Sequence, residues 1–328
     1  MSREMGMIGR RTFLAGTAAA LSIGPARAQA GFPNRPIRLV IPFPPGGPLD
    51  VMGRLIAQRL SSTLGQVIVD NKPGAGGTLA GKEVARSDPD GYTLLMGSSA
   101  ALAIGPALYG ENTGYDPIRN FVPVAMVSSV PYVMIAAANT QFKTVQDVLA
   151  YARTKPGELN FGVPNGAPPH MLAEMFKMST GANIVTVPYR GASTLITDML
   201  AGRLQLGFET TSVMFSHIND GKIRGLAVIR DKRLAELPEM PTMTESGVKE
   251  VVGSSWSGVV APAGTPPDIV ARVRTEIVAG VRAPDVADRL KTMAADPVFM
   301  SQDEMSKFLA DEYHRIGVIM RAANVKAE

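Results

Sequence analysis

The chain predicts an α/β fold of two lobes that face each other across a ligand cleft. Three observations predict it. Short apolar runs of strand character alternate with segments of helical spacing, the pattern of βα units and largely parallel sheets. Most of the strand-like runs end in small or glycine-bearing loops, and open α/β sheets bind ligands at such strand ends. Those loops fall into an early and a central cluster, so two sets of loops can meet across a cleft. The 328 residues suffice for two substantial cores, and no 20–50-residue repeat interrupts the pattern.

The first unit is the most informative. Leu39, Val40 and Ile41 form a buried-strand run over 38–41, and Leu55, Ile56 and Leu60 recur at helical spacing over 51–60. Between them, Gly46 and Gly47 permit a tight turn. Pro48 suits the first helical position, where no N–H is needed. Such a turn aims free backbone N–H groups and the positive end of a helix dipole at one spot, which favours an anion, carboxylate or phosphate alike. The candidate contacts are Phe43, Pro44, Gly46 and Gly47. Asp50 is assigned a structural role among the exposed N–H groups, in preference to ligand contact.

The next units follow in order. Residues 67–69 form a strand, and Ala75, Gly76, Gly77 and Thr78 open the helix 78–85. Residues 93–96 form a strand that ends near Ser98 and Ser99, whose hydroxyls face either ligand or solvent. The central cluster comprises strands at 132–137, 159–162, 184–187 and 204–208, with helices at 145–153, 170–178 and 194–201. Its loop residues Asn165, Gly166 and Ala167, then Arg190, Gly191, Ala192 and Ser193, then Thr210, are candidate contacts. Ser193 serves equally as an N-cap, and Arg190 either forks a carboxylate or lies on the surface. Residues 225–229 form a further strand, Trp256 lies in an extended segment over 254–262, and the tail from Pro267 is helical. Met171, Met175 and Met178 share a helix and read as core filler.

Composition excludes several classes. Cysteine is absent and there are three histidines, His170, His217 and His314. Disulfides and thiolate sites are therefore excluded, and a metal site or other cofactor is not expected. His170 lies one helical turn before Glu174 without a third ligand, so packing or capping is its expected role. Nucleophilic catalysis has little support: there is no G-x-S-x-G and no cysteine, which argues against an exported hydrolase. Residues 1–30 carry Arg10-Arg11, an apolar stretch and cleavage positions after Ala28 and Ala30. They read as a twin-arginine signal peptide, so a periplasmic location is expected. Without them the chain holds 29 basic and 28 acidic residues, a balance that gives no electrostatic footprint for nucleic acid.

Four segments together resemble one family: IPFPPGGPLD (41–50); NKPGAGG (71–77) with DPDGYTLL (88–95); VPYRGA (187–192) with DMLAG (198–202); and WSGVVAPAGTP (256–266). In order and spacing they are similar to the Bug family of extracytoplasmic solute receptors of tripartite tricarboxylate transporters. The resemblance implies a type II periplasmic binding-protein fold, with residues 31–131 plus 253–328 as one lobe and 132–252 as the other. It implies a monomeric receptor, not an enzyme. Such a receptor captures a small carboxylate through backbone N–H groups, waters and hydroxyls, and docks on membrane permease subunits. Some members present ligand to a sensor kinase instead. The modest polarity of the loops and Phe43 point to an aromatic monocarboxylate or a dicarboxylate, and the few cationic side chains near the loops argue against a citrate-like tricarboxylate. Asp198 is expected to brace the hinge or nearby loops. Three positions depart from the family pattern: Pro168-Pro169 replace hydroxyl residues, Arg190 replaces lysine, and Thr210-Thr211 replace Asp-Asn.

Overall fold

The structure, a computed structural model, describes residues 31–164, 167–323 and 325. The signal peptide expected at 1–30 and the contacts expected at Asn165 and Gly166 lie outside the described residues. The described residues from Arg35 onward form one compact unit.

The first half begins with β1 (Ile37–Ile41), α1 (Pro48–Leu64), β2 (Val67–Asn71), α2 (Thr78–Ala85) and β3 (Thr93–Ser98). A π-helical turn, Ala100–Ile104, then runs into α3 (Gly105–Tyr109). β1 lies parallel between β2 and β3. Its Leu39, Val40 and Ile41 are fully buried, as a strand covered on both faces requires.

The long strand β4 (Phe121–Ala137) follows. After it come α4 (Val145–Thr154), β5 (Asn160–Pro164), α5 (Pro168–Thr180), β6 (Val185–Tyr189), α6 (Ala192–Leu200), β7 (Leu206–Thr210), α7 (Thr211–Asn219) and β8 (Ile223–Ile229). β5 is parallel to β6 and β7. The chain ends with β9 (Ser254–Pro262), α8 (Pro267–Val281), α9 (Pro284–Thr292), the two-residue β10 (Asp296–Pro297) and α10 (Gln302–Ala322).

Two strands make the mixed architecture. β9 runs antiparallel to both β3 and β4 and joins the early parallel strands to the rest. β4 changes partners along its length. Phe121–Pro131 pairs with β9, while Tyr132–Ala137 pairs with β7 and β8. Alternation along that second half serves two cores. Tyr132, Met134 and Ala136 enter a core with Phe161, Phe176 and Phe208, whereas Val133, Ile135 and Ala137 pack with Leu195, Met199 and Met214. Helices are started by local chemistry where packing alone leaves their ends open. Thr144 with Asp147, and Ser301 with Glu304, form reciprocal capping boxes on α4 and α10.

The sequence reading identifies the second half of β4 but not the first. Pro123, Pro131, Ser128 and Ser129 interrupt the apolar run, and proline within a run argues against a strand. Pairing to β9 shifts register twice across this stretch, which accommodates the interruptions. The turn at 100–109 and helix α7 also escape sequence reading, since small residues and threonines carry weak helical signals.

Close packing at the β3–β9–β4 seam depends on glycine. A Cβ on Gly258 would stand 3.0 Å from the Ala125 carbonyl oxygen, from Met126 Sδ and from Met305 Cε. Gly258→Val is therefore expected to lower stability by about 1–3 kcal/mol through overpacking. Urea unfolding checks this: the midpoint falls while the slope against denaturant stays constant.

Candidate functional site

A cleft of about 560 Å³ opens where the β1–α1 loop, the end of β3, the middle of β4 and the start of β9 converge. Phe43, Pro44, Pro45, Gly47, Pro48, Leu49 and Met52 form one wall. Ser98, Ser99 and Ala100 come from the end of β3 and the π-helical turn, and Ser128, Val130 and Tyr132 from β4. Ser255, Trp256 and Ser257 of β9, Pro168 of α5 and Met293 complete the lining. Every one of these side chains is uncharged; apart from the Trp256 indole N–H, the polar side-chain groups are hydroxyls.

The wall at the first loop is held by Asp50. Its side chain is almost wholly buried and accepts three kinds of donor. Gly46 N–H lies 2.8 Å from Oδ2, Arg54 Nε 2.9 Å from the same oxygen, and Asn71 Nδ2 2.8 Å from Oδ1. Asn71 Nδ2 also donates to the Phe43 carbonyl at 2.9 Å. Burial by itself would raise the Asp50 pKa, but hydrogen bonds from Arg54, Gly46 and Asn71 hold it below the ordinary range. Gly46 has φ +87°, a left-handed conformation that glycine adopts without strain.

The other expected contacts divide by position. Phe43, Pro44, Gly47, Ser98 and Ser99 line the cleft; Gly46 is exposed and does not line it, and its N–H is engaged by Asp50. Ala75, Gly76, Gly77 and Thr78 do not line it. A Cβ on Gly77 would meet Pro42 at 3.0 Å and Ala101 at 3.2 Å, and Thr78 Oγ1 donates to the Ala75 carbonyl at 2.8 Å. Gly77 and Thr78 are buried, while Ala75 and Gly76 are exposed. Ala167 caps α5 next to the lining residue Pro168. Arg190 and Ser193 are exposed, Gly191 and Ala192 are half-buried at the start of α6, and Thr210 caps α7; none lines the cleft.

Asp198 accepts from Tyr189 Oη at 3.0 Å and pairs with Arg203 Nε at 3.2 Å. It ties α6 to the β6 end and to the turn that follows the helix. His170 Nε2 lies 3.8 Å from Glu174 Oε1, and burial pushes its pKa down. Glu174 in turn pairs with Lys177 at 2.6 Å and accepts from Thr186 Oγ1 at 2.7 Å. Among the described residues no group of three His, Asp or Glu side chains could hold a metal ion. Likewise no described helix is long and apolar enough to cross a membrane.

Sequence reading does not find Tyr132, Ser128, Ser255, Ser257, Leu49, Met52, Val130 or Met293 as site residues. One signal was available: Ser255 and Ser257 alternate at the strand period around the chain's lone tryptophan. Burial pushes the Tyr132 hydroxyl pKa up, so it stays protonated. Trp256 Nε1 donates to Glu312 of α10 at 3.3 Å, which orients the indole.

Residues 52–325 match the model of the tripartite tricarboxylate transporter family receptors. The chain belongs to this family. Protein BugT of Bordetella pertussis is 36% identical over 329 residues, with 99% of each chain covered. A protein of Pseudomonas sp. strain P51, from the tcbD-tcbE intergenic region, is 36% identical over 295 residues, covering 88% of this chain and 87% of its own. Among solved structures, Rpa4515 of R. palustris with adipate shares 34% identity at a TM-score of 0.76, covering 90% and 99% of the two chains. The periplasmic binding protein BugD shares 30% identity at 0.74, covering 90% and 100%. Family membership makes the chain a solute-binding receptor rather than an enzyme, with the two-lobed fold of such receptors.

In this receptor Asp50 is the wall's main polar anchor. Asp50→Ala leaves Gly46 N–H, Asn71 and Arg54 without their acceptor, and is expected to cost about 1–3 kcal/mol of stability. Because the folded-state pKa is held below 3.8, the stabilisation is complete above the unfolded value and is lost as pH falls through the folded one. Thermal melts from pH 7 to pH 2 check both points: the variant melts lower at pH 7, and the gap to wild type narrows in acid.

Proposed function

We propose that the protein captures a small carboxylate with an apolar body in the periplasm and delivers it to the membrane subunits of a tripartite tricarboxylate transporter. The observation that carries this reading is the cleft itself: an apolar wall and a set of hydroxyls, without a charged side chain, at the start of α1. The first-turn N–H groups of Leu49 and Asp50 have no helical acceptor, and the dipole's positive end favours one negative charge there. The Asp50 carboxylate does not cancel that end, since Arg54 pairs with it at 2.9 Å. Phe43, Leu49, Met52, Trp256 and Met293 would cover the apolar body. Rpa4515 is described with adipate and MatC of Rhodopseudomonas palustris with malate, and both are carboxylates.

In this reading residues 1–30 direct export and are removed after Ala28 or Ala30. Residues 31–131 plus 253–328 form one lobe and 132–252 the other. Closure of the lobes would carry the α6 entrance, with Arg190, Gly191, Ala192 and Ser193, towards the ligand. Closure gains stability only from contacts made in the closed state. Ala167 and Thr210 would approach in the same movement.

A thermal-shift screen of residues 31–328 against aliphatic and aromatic carboxylates tests the reading. A ligand at about 100 times its Kd should stabilise by about 2.7 kcal/mol. A response to amines or sugars alone would overturn it. Gly47→Asp places a carboxylate at the cleft wall, where the new Cβ meets nothing closer than the Pro44 carbonyl oxygen at 3.7 Å. The variant should fold normally and bind the identified carboxylate at least about tenfold more weakly. Gly191→Asp, at a position with open space around its Cβ, reports on closure. Weaker binding supports movement of α6 onto the ligand, and unchanged affinity leaves that loop outside the site.

A further inference from the structure

The floor of the cleft carries a row of serines that spans three neighbouring strands. Ser98 of β3 stands opposite Ser257 of β9, and Ser257 stands opposite Ser128 of β4. All three are more than nine-tenths buried, at 8%, 5% and 6% exposure, and all three line the cleft. Ser128 Oγ and Ser257 Oγ are 2.8 Å apart, so one hydroxyl hydrogen lies between them and the other remains to be donated elsewhere. Ser98 Oγ accepts from Ala101 N–H at 3.4 Å, which likewise leaves its hydrogen available. The row therefore offers hydrogen-bond donors in a desolvated place.

No charged side chain lines this floor. Arg315 lines the small cavity that shares Ser99, Tyr132 and Pro168 with the cleft. Its guanidinium is engaged: Nε donates to Glu312 Oε1 at 3.1 Å and Nη1 donates to the Val252 carbonyl at 2.8 Å. A carboxylate on the serine row would lose its hydration with no counter-charge, which is costly. A neutral oxygen would take the same hydrogen bonds without that cost.

We propose that Ser98, Ser128 and Ser257 determine specificity by donating hydrogen bonds to an uncharged oxygen of the ligand: a carbonyl, ester, ether or hydroxyl. The receptor then selects monocarboxylates that carry a neutral acceptor at their far end and discriminates against dicarboxylates. This inference rests on the carboxylate reading of the same cleft.

The test is calorimetric titration of residues 31–328 with matched probes: adipate and its monomethyl ester, terephthalate and its monomethyl ester, and the diacid and monoester forms of any further carboxylate found by the thermal-shift screen. At least one monoester should bind about tenfold or more tightly than its diacid. Ser257→Ala and Ser128→Ala should each reduce that ratio to below about threefold, with a cooperative melt lowered only by the loss of the Ser128–Ser257 hydrogen bond. The ratio is the readout, because a merely structural serine would weaken both members of a pair alike. Equal or tighter binding of the diacid in every pair that binds overturns the inference, as does an ester preference that survives both substitutions. If no carboxylate of any kind binds, the carboxylate reading itself fails, and this inference falls with it.

Discussion

β4 is shared by both halves of the molecule, and the position of the cleft follows from that sharing. Its first eleven residues belong to the β9 side and its last six to the β7 and β8 side. The change of partners falls at Pro131 and Tyr132, where proline leaves no N–H to donate. Thr211 Oγ1 donates to the Pro131 carbonyl at 3.2 Å, so the start of α7 is pinned to the same point. Ser128, Val130 and Tyr132 flank it and face the cleft. The strand that joins the two groups thus also supplies part of the site's floor.

Around that floor, charge is kept one layer back. Asp50 is buried behind the first wall and pairs with the exposed Arg54, and Glu312 stands behind Trp256 with Arg315. Each ion pair contacts a lining element and lies outside the cleft lining itself. Glu209, at the end of β7, is buried and has its pKa raised by desolvation; its Oε1 accepts from Thr210 N–H at 2.8 Å. The cleft therefore presents dipoles and hydroxyls, which hold a ligand by direction more than by net attraction. The Arg315 guanidinium also reaches the Val252 carbonyl and lies 3.4 Å from Met175 Sδ, so α10, α5 and the segment before β9 are braced together beside the indole.

Much of the first half was legible because its signals are local. The apolar run at 39–41, the Gly46-Gly47 turn and Pro48 each act through their own backbone, and β1, the turn and α1 follow directly. Phe43, Pro44 and Gly47 line the cleft for the same reason: a βα turn at a strand end has few other places to go. Ser128 and Ser257 were not legible. They are 129 residues apart, and each alone is an ordinary strand serine. Only antiparallel pairing of β9 with β4 makes them neighbours. The loop from Ala75 to Thr78 shows the converse. Its glycines read as a second helix entrance, and Gly77 does open α2, yet these residues do not line the cleft, and Gly77 packs against Pro42 and Ala101.

By itself the sequence determined the α/β class, the strand-end loops and the family, since alternation, turn chemistry and ordered motifs all lie along the chain. Tertiary structure alone decided which loops share a cleft and which polar atoms face it. It also decided that the charges of Asp50 and Arg315 are engaged elsewhere. Those facts depend on contacts between residues tens to hundreds of positions apart, set by sheet register and helix packing, and no local pattern encodes them.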